Sequence, residues 1–357
     1  MIHAAAVALL AVVLLIFVCA PIQSSLGMAG LALTELIILA LAVISAVVIG
    51  RMTGEPPKWF FPIKAVPPRQ LLGSLFIYIG GYFAMYAAAT ALAYLFPDAV
   101  AGEADYLSGV ISSVPPLLSL LITAVMPAVC EEALHRGVIL RCVVGTAERA
   151  FTQERTIASS VFVTVAGGAL FGLHHLDPYR FITTAVLGGA LSYICFKTGS
   201  MLPGMILHFI NNAMSVAALF IESSVRTAPA MTPEQQQAFD ALLAEAEKMA
   251  ASPRAVFGTA LIMLGWAVIF LRAGQRLMKP KIRYELPENP TDEDFERLSL
   301  EINARRNPVA PDGTRYAPSW LKSLAIVLTV LALFTLGSAL TASAAGGYAS
   351  ALGGLGI

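Results

Sequence analysis

Long apolar runs separated by short polar segments dominate the chain. A helix needs about 20 apolar residues to cross a hydrocarbon core of about 30 Å, and about nine runs approach or exceed that length. They lie near residues 4–20, 28–50, 70–96, 114–141, 157–176, 179–197, 200–221, 255–273 and 319–341. The pattern therefore predicts an all-α fold, a polytopic transmembrane helical bundle of about nine spans.

Composition supports a membrane protein and excludes other classes. The chain is 57% hydrophobic and only 13% charged, whereas about 25% of residues are charged in typical soluble domains. Its net charge is zero and no basic stripe with interleaved aromatic residues occurs, so we expect no nucleic-acid partner. The four cysteines are scattered without C-x-x-C spacing, which favours core packing over a disulfide framework or a thiolate metal site.

The charges between the apolar runs predict an orientation. The segment after the second run carries four basic residues, whereas residues 97–109 carry acids and no base. Lysine and arginine concentrate in cytoplasmic connections, and the basic connections alternate along the chain as this rule requires. We therefore expect a multi-pass protein with a cytoplasmic N-terminus and membrane lipid as its surroundings.

Two segments outside the spans have helical patterns of their own. Thr232 is a candidate N-cap, Pro233 falls at the first helical position, and Gln235 completes a capping box. The helix predicted there has an apolar stripe that would lie on the outer membrane surface or on the rim of the protein. A second short helix is predicted at about 292–306, inside a charged, proline-rich loop.

The stretch AVCEEALHRGVIL, residues 128–140, places four ionisable side chains within an apolar run. A charge near the bilayer centre costs about 2.5 to 3.5 kcal/mol, so such residues face a cavity, pair with each other or carry function. Glu132 and Arg136 stand four residues apart and share a helical face. Glu131 points about 140° away from Arg136, and His135 is the partner that its own helix offers. An unpaired carboxylate suits a general base.

Two further apolar runs contribute polar clusters. In FGLHHL, Phe171 and His175 share a helical face, and in LHFINN, His208 and Asn212 do the same. His174 and Asn211 are neighbouring alternatives, since adjacent residues of a helix point about 100° apart. The linear order also places His175 near the outer end of its span, away from the other motif residues.

These clusters follow one another in a specific order. They resemble the three-motif pattern of the CPBP family, the CAAX-protease and bacteriocin-processing (Abi) intramembrane metalloproteases, and are similar to type II CAAX prenyl endopeptidases. The resemblance covers about residues 70–222 and is carried by Glu131-Glu132-x-x-x-Arg136, Phe171-x-x-x-His175 and His208-x-x-x-Asn212.

The resemblance implies an intramembrane endopeptidase with a defined site. Glu131 and His175 would activate a water molecule, and His208 and Asn212 would stabilise the oxyanion formed on the scissile carbonyl. Glu132 and Arg136 would be a supporting ion pair. The expected substrate is a peptide or protein, either a prenylated CAAX-type C-terminus or another membrane-associated peptide.

A metal is one of two alternatives for this chemistry. Glu131, His175 and His208 could supply the three protein ligands of a catalytic zinc site with a position left for water. The H-E-x-x-H signature of many zinc peptidases is absent from the sequence, which equally allows a metal-free glutamate peptidase. Both alternatives stay open.

The resemblance also divides the chain. Residues 1–69 are expected to be an N-terminal two-span region, 70–222 the catalytic core, and 223–357 an extension whose role the motifs do not explain. The expected location is the plasma membrane of a prokaryote. Two other functions remain: an inactive immunity or scaffold protein of the same fold, and a transporter that uses the Glu and His residues as a proton relay.

Overall fold

The computed structural model describes residues 2–144, 157–226, 232–278 and 319–353, together with residues 291, 293 and 296. The structured parts of these ranges are helical. In chain order the helices are α1 (Ile2–Leu26), α2 (Met28–Thr53), α3 (Pro68–Leu95), α4 (Pro97–Ile111), α5 (Pro116–Val144), α6 (Ile157–His174), α7 (Pro178–Thr198), α8 (Leu202–Arg226), α9 (Pro233–Ala251), α10 (Pro253–Met278) and α11 (Ser319–Gly353).

The predicted transmembrane bundle is confirmed. Within the described residues, 8 helices are long and apolar enough to cross a membrane: α1, α2, α3, α5, α7, α8, α10 and the Ser323–Ser343 part of α11. The remaining predicted span, 157–176, corresponds to α6, whose apolar part, Ser159–His174, is shorter. It ends early because Asp177 caps the following helix, accepting hydrogen bonds from the backbone N–H groups of Tyr179 and Arg180.

The segments between spans agree only in part with expectation. Helix α9 begins at Pro233, and the capping box is formed by Thr232 and Gln235. Helix α4 was not expected, because its sequence was interpreted as an acidic connection. The helix predicted at about 292–306 lies outside the described residues apart from isolated positions. The cytoplasmic N-terminus follows from loop charges alone and stays a prediction.

Small residues allow the C-terminal helices to pack closely. A Cβ atom on Gly274 of α10 would lie 2.8 Å from the carbonyl oxygen of Gly73 on α3. A Cβ atom on Gly258 of α10 would lie 2.6 Å from the carbonyl oxygen of Gly337 on α11. Since backbone contacts of this kind replace the hydrophobic driving force inside lipid, α10 is held between α3 and α11.

The main apolar core joins the N-terminal helices to the middle of the chain. It combines buried residues of α1 and α2 with those of α5, α6 and α7. Cys19, Cys130 and Cys195 are buried free thiols, in agreement with a packing role. Helices α1 and α2 therefore cover the segment that carries the three motifs.

Helix α5 departs from regular α geometry at two places. π-Helical turns occur at Leu121–Val125 and at Ala133–Ile139. The second one starts directly after Glu132 and contains His135 and Arg136. π-Helical turns inside α-helices are frequent at functional sites, and this one directly follows the two glutamates and contains the other two ionisable side chains.

Candidate active site

An internal cavity of about 490 Å³ lies among α1 to α8. Its wall includes four of the residues singled out from the sequence: Glu131, His175, His208 and Asn212. His175 reaches the cavity even though its linear position placed it near the outer end of a span, because α6 is short and His175 directly follows its last residue. The structure thus brings residues of all three motifs to one cavity.

Arg136 is fully buried and has partners on several sides. Its Nη1 lies 2.7 Å from Glu132 Oε1, and its Nη2 donates to the carbonyl oxygen of Gly188 at 3.0 Å. The guanidinium also lies over the Phe171 ring, 4.3 Å from its centroid. A buried charge is tolerated when it is paired and hydrogen-bonded, and this arrangement meets that condition.

Glu132 also contacts the third motif. His208 Nδ1 lies 2.9 Å from Glu132 Oε1, and a carboxylate paired with Arg136 can only accept, so Nδ1 is the donor. Gly204 permits this close approach, because a Cβ there would lie 3.2 Å from Glu132 Oε2. Glu132 therefore joins α5 to α8 and orients the His208 ring, a contact between helices that spacing along one helix could not predict.

Glu131 differs from its neighbour. Both glutamates have a buried Oε2 without a hydrogen-bond partner among the described residues, but Glu132 is bonded to Arg136 and His208 through Oε1. For Glu131, His208 Nε2 lies 3.9 Å from Oε2, beyond hydrogen-bond range. His135, the partner that helix spacing offered, makes no hydrogen bond within the described structure and instead packs its ring against Phe171 and His174. Glu131 therefore lines the cavity without the ion pair and hydrogen bonds that hold Glu132.

The backbone of α6 defines the hydrogen position on His175. Its Nδ1 lies 3.1 Å from the carbonyl oxygen of Phe171, and a carbonyl can only accept, so Nδ1 carries the hydrogen. In the neutral ring Nε2 then holds the lone pair and can act as a base. His174 is buried with its ring 4.8 Å from that of His135 and lacks such a contact to the backbone in the described structure.

The turn that holds His175 has an unusual backbone. Leu176 adopts a φ of 55°, a value that costs free energy for a residue with a branched side chain. Such conformations persist where the surrounding structure enforces them, and they concentrate at functional sites. Here the turn is enforced by the end of α6 on one side and by the Asp177 cap of α7 on the other.

A hydrogen-bonded chain distinguishes the two neighbouring asparagines. The Tyr78 hydroxyl donates to Asn211 Oδ1 at 2.8 Å, and Asn211 Nδ2 donates to Asn212 Oδ1 at 3.0 Å. The Asn212 carbonyl is therefore occupied, which leaves its NH₂ group as the part available to a ligand. Asn211 supports Asn212 rather than replacing it.

Sequence reasoning missed several polar residues of the cavity wall, among them Glu35, Tyr78 and Arg180. Glu35 could have been found, since it is an acid inside the apolar run 28–50, where the cost of an unpaired charge applies as it does to Glu131. Tyr78 offers no comparable signal, because tyrosine is common in spans. The cavity also shows that α1 and α2 contribute to the site, beyond the expected 70–222 core.

The proposed zinc ligands do not form a metal site as they lie. Within the described residues, no group of three His, Cys, Asp or Glu side chains could hold a metal ion. The Nδ1 atoms of His175 and His208 are engaged by Phe171 and Glu132, which leaves each Nε2 as the nitrogen available to a ligand. As they lie, however, the three side chains are not grouped closely enough to hold zinc.

Comparison with known families identifies the middle of the chain. Residues 113–214 match the family described as type II CAAX prenyl endopeptidase Rce1-like. This segment contains all three motifs, so the resemblance to CAAX proteases predicted from them is confirmed there, over a shorter range than 70–222. The match says nothing of a metal or of Abi proteins. No curated protein and no solved structure matches the chain.

Proposed function

We propose that the protein is an intramembrane endopeptidase whose active site is the cavity among α1 to α8. The observation that carries this proposal is that Glu131, whose buried Oε2 has no hydrogen-bond partner within the described residues, lines the same cavity as His175, His208 and Asn212. The Rce1-like match over the three motifs supports the reaction type. The chain is a multi-pass membrane protein, so the peptide bond would be cut within or at the edge of the bilayer.

Water activation is assigned to Glu131 and His175. Glu131 Oε2 lacks a hydrogen-bond partner within the described residues, and His175 Nε2 is the basic nitrogen of its ring. A water molecule held by both would lose a proton as its oxygen attacks the scissile carbonyl carbon. Proton transfer by positioned groups contributes about 10² to 10⁴ in rate.

The tetrahedral intermediate carries a negative oxygen that needs hydrogen-bond donors. Asn212 can offer its NH₂ group, because its carbonyl oxygen is engaged by Asn211. His208 can offer Nε2–H only with both ring nitrogens protonated, since its Nδ1 already donates to Glu132. The carboxylate of Glu132 would then stabilise the charged ring, which links the buried ion pair to catalysis.

The substrate class follows from the family match and the position of the site. We assign a membrane-associated peptide, with a prenylated CAAX-type C-terminus as the substrate to test first. Most of the cavity wall is apolar, and membrane-spanning helices form it. A lipid-modified peptide can reach such a site from the bilayer, whereas a freely soluble peptide would lose its hydration on entry.

The proposal is tested with purified protein in lipid vesicles and a farnesylated CAAX peptide. Mass spectrometry should detect cleavage, and His175→Gln should lower turnover by about 10² to 10⁴ because the basic nitrogen is lost. His174→Gln is the matched control. It removes the neighbouring histidine ring, which makes no contact with the Phe171 carbonyl oxygen, and its turnover should stay within about tenfold of wild type. Equal activity in wild type and His175→Gln would contradict the assignment.

A peptide without the prenyl group separates the substrate classes. Cleavage of the farnesylated peptide alone supports a CAAX-type substrate, and equal cleavage of both peptides indicates membrane-associated peptides in general. Absence of cleavage accompanied by proton flux across the vesicle membrane would instead support a transporter.

A further inference from the structure

A second buried carboxyl group lines the cavity from outside the Rce1-like segment. Glu35 lies in α2, within the apolar run 28–50, and only 8% of its surface is exposed. Its Oε2 has no hydrogen-bond partner among the described residues. The hydroxyl of the neighbouring Thr34 does not bond Glu35, since it donates to the Gly30 carbonyl and accepts from Gln23.

The buried carboxyl group of Glu35, whose Oε2 is unpartnered within the described residues, requires a physical explanation. A carboxyl group inside the bilayer is costly and in most cases faces a cavity or a partner. Arg136, the buried cation of α5, is engaged by Glu132, Gly188 and the Phe171 ring. Glu35 therefore faces the cavity without the compensation that Glu132 has.

Glu35 and the proposed base line the same cavity, and each has a buried Oε2 atom without a hydrogen-bond partner in the described structure. Catalytic sites that use two carboxyl groups assign the proton to one as the acid and leave the other as the base.

We propose that Glu35 is a further catalytic residue, the general acid that protonates the leaving amine. This inference rests on the proposed function, in which Glu131 is the base. Water adds to the carbonyl carbon as Glu131 accepts its proton. The C–N bond then breaks as Glu35 transfers a proton to the departing nitrogen. The products are a carboxylic acid and an amine, and transfer of the proton from Glu131 to Glu35 restores the pair.

The arrangement explains why an amide could be cut here. An amine is a poor leaving group unless it is protonated, and a buried site offers few proton donors. The base that accepts the proton of water and the acid that serves the amine can then be different groups, as in other two-carboxyl hydrolases. Helix α2 would thus supply part of the catalytic machinery to the motif-bearing helices.

The test compares two substrates that differ in one atom. One is the CAAX-type peptide, and the other carries a thioester in place of the scissile amide, whose thiolate leaves without a proton. Glu35→Gln should lower amide turnover by about 10² to 10⁴ and thioester turnover by less than about tenfold. Glu131→Gln should lower both, because both need an activated water. Glu55→Gln, the same change outside the cavity wall, should alter neither.

The outcomes separate two kinds of failure. If Glu35→Gln lowers both substrates equally, or lowers neither, Glu35 is not the general acid. If Glu131→Gln cleaves the amide at the wild-type rate, the proposed function itself fails. Should Glu35→Gln not fold, Glu35→Asp keeps the acid but shortens its reach. The ratio of amide to thioester turnover then decides, and a ratio equal to that of wild type overturns the proposal.

Discussion

The adjacent glutamates Glu131 and Glu132 lie on two sides of α5 and have different surroundings. On one side Glu132 is fully buried and contacts both Arg136 and His208 through one oxygen. On the other side Glu131 lines a cavity and has no charged partner within hydrogen-bond range among the described residues. Position around the helix, and not residue type, therefore separates a carboxylate that stabilises the fold from one that can act as a base.

The difference arises from what lies opposite each residue. Glycines face the Glu132 side: Gly188 provides a carbonyl for Arg136, and Gly204 lies beside Glu132 Oε2. Because glycine lacks a side chain, the helices approach until their polar groups meet directly. Glu131 instead faces the space between α2, α6 and α8, where the helices leave room for a substrate.

Disrupting the ion pair between Glu132 and Arg136 should produce the largest change in stability. Arg136→Gln leaves Glu132 without its main charge partner, and the loss of one member of a buried pair costs about 3 to 5 kcal/mol. We expect a lower Tm and a lower yield of folded protein. The double variant Glu132→Gln with Arg136→Gln should recover part of the Tm, since neither charge remains. Thermal unfolding in detergent measures both.

The same double variant separates stability from catalysis. Its turnover should stay below that of wild type, because a neutral amide next to His208 no longer stabilises a doubly protonated ring. Recovery of full turnover together with the Tm would show that Glu132 serves the fold alone. No recovery of the Tm would show that the two side chains are not energetically coupled.

A smaller effect should follow from removing the hydrogen bond between Tyr78 and Asn211. Tyr78→Phe removes the hydroxyl that donates to Asn211 and keeps the ring, and one such hydrogen bond contributes about 0.5 to 1.5 kcal/mol. We expect turnover to fall by up to about tenfold with KM little changed, since Asn212 acts on the intermediate. Tyr82→Phe, on the same helix with its ring 6.4 Å from that of Tyr78, is the control. An unchanged kcat in Tyr78→Phe would remove Asn211 from the account.

Hydrophobic patterning predicted most of the fold. Span positions follow from the length of apolar runs, and the start of α9 follows from local capping by Thr232 and Gln235. Helix α4 was missed because it is neither long nor strongly apolar, and its acids suggested a loop. The early end of α6 depends on the Asp177 cap, a signal that a count of apolar residues ignores.

For the site, only the contact within one helix and the residues of the three motifs could be predicted from the sequence. Spacing along α5 placed Glu132 and Arg136 on one face. The contacts between Glu132 and His208 and between Tyr78 and Asn211 span many residues of sequence, so no local pattern encodes them. Glu35 lies outside the Rce1-like segment, and its relation to Glu131 becomes visible only once α2 packs against α5.

The most direct test of the account compares Glu131→Gln with Glu132→Gln in one experiment that records Tm and peptide turnover. Glu131→Gln should keep the wild-type Tm, because an uncharged amide of nearly the same shape faces the cavity, and should lose about 10² to 10⁴ in turnover. Glu132→Gln should show its main loss in Tm. The account is contradicted if Glu131→Gln cleaves the peptide at the wild-type rate, or if it unfolds as readily as Glu132→Gln.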